Sequence, residues 1–259
     1  MGKENSGTRM SQIRGIFFDL GGTLFRYSGR AGGNGIRHLM EQTGLQLTRE
    51  QVGHAWQDVS KKVAGHYAQQ AYFLHKDMFR DMVTGFLDKF DLSPTPDMLE
   101  TFHQMQLQGM VDNLPIRDEC TTTLAALKEK GLYLSIVSNI DDDYLFPLVE
   151  KYELFNWLDH WTSSEEAQSC KPDPEIYRYC LTKAGLSAEE VLFVGDSLHH
   201  DVAGAAKVSM RSARIVEEGV TTPLTHGLEA SAEPTYTIQS LDELLTIVEA
   251  ANGESPVPT

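Results

Sequence analysis

An apolar run that stops on a carboxylate, with glycines directly behind it, constrains this chain more than any other feature. Ile16-Phe17-Phe18 leads into Asp19, and Leu20-Gly21-Gly22-Thr23-Leu24-Phe25 follows. An unbroken apolar run of this length reads as a strand buried on both faces, as in a parallel sheet covered by helices. Gly21 and Gly22 permit a tight turn and a close approach of the backbone to a ligand. Asp19 then stands at the carboxyl end of a central strand, where open α/β sheets place their ligands. Taken alone, the stretch is equally consistent with a buried strand that happens to end in Asp. The rest of the chain has to decide.

The 259 residues are 41% hydrophobic and 23% charged, enough for one large domain or two smaller ones. The net charge of −15 argues against a nucleic-acid backbone or an anionic membrane as partner. An anionic substrate must therefore be drawn in by local cations. No apolar run reaches membrane-spanning length. Met1 to Met10 is polar, without the apolar segment of a signal peptide, and reads as a disordered leader. The three cysteines, Cys120, Cys170 and Cys180, show no CxxC spacing. A sparse, odd set suggests a reduced, cytoplasmic protein, with packed thiols.

After the opening strand, Tyr27 to Gly35 contains four glycines and reads as a flexible hinge. Residues 36–110 then change character. Val52, Ala55, Trp56, Val59 and Val63 follow helical spacing, as do Phe79, Met82, Val83, Phe86 and Phe90, and then Met98, Phe102 and Met105. The block reads as about four packed helices. Its methionines read as core filling and its histidines as surface or core residues, since none shows metal-site spacing. From Asn113 the α/β alternation resumes. Strands are expected at Leu132–Val137, Leu158–Thr162, Val191–Val194, Ala213–Val216 and Tyr236–Ile238. Helices are expected at Thr121–Lys130, Asp141–Tyr152, Pro174–Ala184, Asp201–Lys207 and Leu241–Ala251. Pro147 implies a kink or a late start in its helix.

This alternation implies a Rossmann-like α/β core with a parallel sheet, interrupted after its first strand by an all-helical insertion. The expected division is a core of residues 11–28 and 113–251, a helical cap of 29–112, and disordered tails at 1–10 and 252–259. Both passages into the insertion fall near Asp19, so the insertion should lie over that residue as a lid.

Three strands end in polar residues: Asp19, Ser138-Asn139, and Gly195-Asp196-Ser197. Central parallel strands would bring these ends into one crevice. Two carboxylates meeting there repel unless a cation neutralises them, and hard oxygen ligands suit magnesium. A serine hydroxyl and turn N–H groups bind phosphate oxygens. Lys171, in Cys170-Lys171-Pro172-Asp173-Pro174, is the natural counter-cation at a proline-rigidified helix start.

The set D-L-G-G-T, S-N, K-P-D-P and V-G-D-S-x-x-x-D, in that order, resembles the haloacid dehalogenase-like (HAD) hydrolases. The resemblance runs from about Ile13 to Ala250, with the insertion matching that family's cap. It implies that Asp19 is a nucleophile forming an aspartyl-phosphate. It implies magnesium held by Asp19, the Gly21 carbonyl and Asp196, with Asp201 in support. Ser138, the Asn139 backbone and Lys171 would hold the phosphoryl group, and Thr23 would orient the turn. The implied activity is hydrolysis of a small phosphorylated metabolite by a monomer or homodimer.

One position departs from the pattern. Phosphatases of this family usually carry a second Asp two positions after the nucleophile, as proton donor to the leaving group. Here that position is Gly21. Either the leaving group needs little protonation, as with an acyl, aryl or anomeric phosphate, or another group substitutes, with His199 and His200 as candidates, or the protein is a weak catalyst kept for binding. A 2-haloacid dehalogenase also lacks that Asp and is the alternative activity. It needs neither magnesium nor the Asp196–Asp201 arrangement, which favours phosphate chemistry here.

Overall fold

The computed structural model describes residues 11–28, 34–219 and 232–253. The expected leader over 1–10, the end of the chain from 254, and residues 29–33 of the expected hinge lie outside these.

The opening apolar run forms β1 (Gly15–Phe18), every residue of which is buried. Four helices follow: α1 (Gly35–Thr43), α2 (Arg49–Tyr67), α3 (His75–Asp88) and α4 (Pro96–Asn113). The alternation then continues through α5 (Cys120–Glu129), β2 (Tyr133–Ser138), α6 (Asp142–Lys151), β3 (His160–Ser163), α7 (Ser164–Ala167), α8 (Pro174–Ala184), β4 (Val191–Gly195), α9 (Ala203–Ala206), β5 (Arg211–Ile215), β6 (Tyr236–Ile238) and α10 (Glu243–Asn252). Among the described residues, six strands form one sheet in the order β3-β2-β1-β4-β5-β6, and each neighbouring pair is parallel. The fold is α/β with a helical insertion after β1, as the sequence pattern implies. None of the described helices is long and apolar enough to cross a membrane.

Successive residues of a strand face opposite sides of a sheet, and β1 uses both. Phe17 packs with Val137, Phe193, and Ile176 and Tyr177 of α8. Ile16 and Phe18 pack on the other side with Leu134, Ile136, Leu124 of α5, Leu148 of α6 and Leu244 of α10. The insertion has its own apolar clusters, one around Leu39, Val83, Phe86 and Phe102, another around Val59, Met78 and Met82. Met78 and Met82 thus fill core, as their helical spacing implies. The three cysteines are buried and unpaired, and burial raises the pKa of each.

Three details differ from the sequence-based expectation. Helix α6 starts at Asp142 with Pro147 in its interior, so the proline does not delay the start. It removes one ladder hydrogen bond, to the carbonyl four residues earlier. The helix expected from Asp201 begins earlier, as a wide turn over Leu198–Val202 that runs into α9. The Ser197 hydroxyl, accepting from the His200 N–H at 3.0 Å, starts it. Asn252, expected to open a frayed tail, is the last residue of α10. Its side chain accepts from the Ile13 N–H at 2.8 Å and donates to the Ile13 carbonyl at 3.0 Å.

The two passages between core and insertion run side by side. Arg26 N–H donates to the Pro115 carbonyl and Arg117 N–H to the Leu24 carbonyl, both at 2.9 Å. A second tie comes from Asp141. The residue preceding α3 is Leu74, which offers no capping side chain. Asp141, fully buried after β2, caps that helix instead: its two oxygens accept from the His75 and Lys76 N–H groups, each at 2.8 Å. A carboxylate at a helix N-terminus satisfies orphan donors and complements the dipole.

Asp141→Ala is therefore expected to lower stability by about 2 kcal/mol, read by thermal unfolding. Burial pushes the Asp141 carboxyl pKa up, but the hydrogen bonds from His75 and Lys76 outweigh it and leave the carboxyl below its ordinary value. The folded chain then binds this proton less readily than the unfolded chain. The contribution is complete above roughly pH 4 and is lost as pH falls through the folded value. The variant should lose less stability on acidification than the parent.

Candidate active site

The register of the sheet places the site. Phe18 pairs with Ile136 of β2 and with Val194 of β4. Asp19, Ser138 and Asp196 therefore emerge together at the carboxyl edge of three adjacent strands. Asp19 and Ser138 are buried, and Lys171 and Asp201 almost completely so.

Two donors converge on one oxygen of Asp19. The Ser138 hydroxyl donates to Oδ1 at 3.0 Å and Lys171 Nζ donates to the same atom at 2.7 Å. They hold the carboxylate in one rotation. Lys171 also donates to Asp201 Oδ1 at 2.7 Å. Burial works against the charge on Lys171, but Asp19 and Asp201 outweigh it and raise the lysine's pKa. The lysine is placed by its backbone. The Asn139 side chain accepts from the Lys171 N–H at 2.6 Å and donates to the Lys171 carbonyl at 2.8 Å. Directly beyond it, Asp173 caps α8 with Pro174 in the first turn. Asp201 is fixed in turn by the Ser197 N–H, which donates to its Oδ2 at 2.9 Å.

Two glycines let these groups come together. Gly22 has a φ of +80°, and a Cβ on it would lie 2.5 Å from Asp196 Oδ2. A Cβ on Gly195 would lie 2.3 Å from the Asp201 carboxyl carbon. Any side chain at either position would displace a carboxylate.

Asp19, Asp196 and Asp201 offer oxygens that all lie within 4.8 Å of one another, and Lys171 is the cation among them. Burial, with Asp19 and Asp196 adjacent, pushes the Asp201 carboxyl pKa up, with Lys171 pulling the other way. Three carboxylates against one ammonium leave a net negative, all-oxygen site. Hard donors with that charge deficit fit a divalent cation of the magnesium type.

Two residues that the sequence does not single out complete the site. Arg117, 3% exposed, donates from Nε to the Thr23 carbonyl at 2.8 Å and from Nη2 to the Gly22 carbonyl at 2.9 Å. Its Nη2 also pairs with Glu217 Oε2 at 2.9 Å. This guanidinium clamps the turn after Asp19. The Thr23 hydroxyl is buried without a hydrogen-bond partner among the described residues, so the hydrogen bonds that brace the turn pass through backbone carbonyls. Tyr27 is the second. Its hydroxyl lies 3.1 Å from the Gly21 carbonyl and 3.0 Å from Asp196 Oδ2. Burial and then Asp196 raise the pKa of this phenol, which keeps it a donor. The sequence carries no signal for either role, since Arg117 sits 94 residues from Thr23 and Tyr27 sits 169 from Asp196.

A cavity of about 670 Å³ opens over Asp19, with core residues as its floor and the insertion as its walls. His199 and His200 both line it. Burial pushes His200 down to about 3 and His199 below its ordinary value, so both are neutral bases rather than acids. Trp56 of α2 lines it as well.

Known proteins match the chain in sequence and in fold. The chain is 26% identical over 239 residues to the glyceraldehyde 3-phosphate phosphatase of Methanocaldococcus jannaschii, covering 91% of this chain and 97% of that one. It is 30% identical over 128 residues to (S)-2-haloacid dehalogenase 4A of Burkholderia cepacia, covering 47% and 55%. The fold superposes on the magnesium-bound HAD-hydrolase YfnB of Bacillus subtilis with a TM-score of 0.71 at 19% identity, over 92% of this chain and 99% of that one. Relatives thus divide between phosphatases and dehalogenases at low identity. With the Asp19 turn, the buried lysine and the acidic strand ends in one crevice, and with residues 13–209 matching the family model of these enzymes, the chain belongs to the haloacid dehalogenase-like hydrolases.

Proposed function

We propose that this hydrolase is a magnesium-dependent phosphatase acting on a small phosphorylated metabolite, with residues 29–112 as cap over a catalytic core of 11–28 and 113–251. The observation that carries this reading is the gathering of Asp19, Asp196 and Asp201, with Lys171 paired to the first and the last. Displacement at a carbon–halogen bond needs a carboxylate nucleophile but no such acidic cluster.

In this reading Asp19 attacks phosphorus, the bond to the leaving oxygen breaks, and that oxygen takes the electron pair. Water then attacks the aspartyl-phosphate, releasing inorganic phosphate and restoring Asp19. Ser138 and the Asn139 backbone bind the phosphoryl oxygens, and Lys171 neutralises charge on the nucleophile and the phosphoryl group. Asp19, the Gly21 carbonyl and Asp196 hold magnesium, with Asp201 in support, and the ion supplies charge stabilisation to the phosphoryl group when bound. The cap excludes bulk water.

The test is phosphate release from a generic aryl phosphate, with and without magnesium. Strict magnesium dependence is the expected result. A second reading, the 2-haloacid dehalogenase, is favoured by Gly21, where the phosphatase acid is missing. Halide release from a 2-haloacid without metal would replace the first reading by the second.

Tyr27 yields a separate expectation. Its hydroxyl donates toward two oxygens assigned to the metal, the Gly21 carbonyl and Asp196. The cation has to compete with that donor. Tyr27→Phe is expected to bind magnesium about tenfold tighter by titration calorimetry, since a hydrogen bond to a charged group contributes roughly 1.5–3 kcal/mol. Weaker binding would mean that the hydroxyl supports the metal site instead.

A further inference from the structure

The cavity above Asp19 is built for a leaving group of a particular kind. Its walls are Trp56, Phe73, Met78, Phe79, Phe102 and Met110, all from the insertion. Gln106 is also there, but its side-chain oxygen already accepts from the Tyr144 hydroxyl at 3.0 Å. Among the described residues, Lys171 is the only Lys or Arg that lines the cavity, and it is engaged by Asp19 and Asp201 on the floor. Among the described residues of the walls, His75 and Gln70 are the further polar side chains, and no Lys or Arg stands there to pair with a carboxylate or a second phosphate on the substrate. Burying such a charge unpaired is costly. The volume, about 670 Å³, lies within the ordinary range of small-molecule sites and leaves room for a ring system.

The reacting end points the same way independently. Gly21 supplies no proton to the leaving oxygen. A Cβ built on Gly21 would have the Tyr27 ring as its neighbour, with Cε1 at 3.5 Å, so an aromatic edge borders the position that the family's acid usually holds. Without a carboxylic acid at position 21, departure depends more on the leaving oxygen's own acidity. A phenol, with a pKa of about 10, leaves far more readily than an alcohol, whose pKa lies well above that of a phenol.

We infer that the substrate is a phosphate monoester of an uncharged aromatic alcohol, with a ring system of naphthyl size or larger seated against the apolar wall that Trp56, Phe79 and Phe102 contribute to. This rests on the phosphatase reading, and the two are tested separately. The first arm measures binding without turnover. Asp19→Asn is titrated by calorimetry, in magnesium, with 1-naphthyl phosphate, phenyl phosphate and phosphoglycolate. Naphthyl phosphate is expected to bind at least tenfold tighter than phosphoglycolate and several-fold tighter than phenyl phosphate. The second arm compares kcat/KM of the parent protein on the same compounds and on glycerol 3-phosphate. The aryl esters should exceed the alkyl ones by about 100-fold or more, with naphthyl above phenyl. Tighter binding or faster turnover of phosphoglycolate or glycerol 3-phosphate would overturn this inference and leave the phosphatase reading standing. Naphthyl binding as expected with no hydrolysis of any ester would overturn the phosphatase reading, and with it the substrate assignment, leaving only an aromatic-binding cavity.

Discussion

Asp19→Asn is expected to reduce turnover by about 10⁴-fold or more, the scale seen when a covalent nucleophile is removed, while the protein stays folded. The amide is nearly isosteric with the carboxylate. Its oxygen still accepts from Ser138 and Lys171, which now lie 3.0 and 2.7 Å from Asp19 Oδ1. The substitution also removes one of three clustered carboxylates, two of which pair with the single lysine, so the melting temperature should be unchanged or higher. Phosphate release with a continuous assay and scanning calorimetry on the same preparation check both halves. Residual activity within tenfold of the parent would remove Asp19 from the reaction. A collapse in melting temperature would make it a structural residue.

Gly21→Asp carries the second large effect. Adding a carboxylic acid at the family's usual position should raise kcat/KM on alkyl phosphates by about 10²-fold or more, the ordinary contribution of general acid–base catalysis. The gain on aryl phosphates should be far smaller, because their leaving oxygens need little protonation. The site permits the change. The left-handed residue of the turn is Gly22, not Gly21, and a Cβ at 21 makes only an ordinary contact with Tyr27 at 3.5 Å. Parallel assays with an alkyl and an aryl ester decide the point. Equal gains on both would sink the argument from leaving-group acidity.

These two substitutions also mark where local sequence was informative. Each strand end that carries chemistry was legible because the signal is local. An apolar run is terminated by Asp, Ser-Asn or Gly-Asp, and period and punctuation depend only on near neighbours. Lys171 was legible from the Pro172 and Pro174 around it, and the four-helix insertion from sustained helical spacing. The wide turn at Leu198 was not, because its start depends on where the Ser197 side chain points. The order of motifs along the chain then named the family.

What the sequence by itself determined is the sheet, its interruption, and the inventory of groups at the crevice. Tertiary structure alone decided how those groups are held and what lies above them. Arg117 clamping the Gly22 and Thr23 carbonyls, Tyr27 between Gly21 and Asp196, and Asp141 capping α3 join residues 94, 169 and 66 positions apart. The apolar walls above Asp19 come mostly from helices whose spacing announces only that one face is buried. The physical reason is common to all four. Burial pattern reports that a side chain leaves water, but not which group it meets, and a partner distant in sequence is chosen by packing of the whole chain.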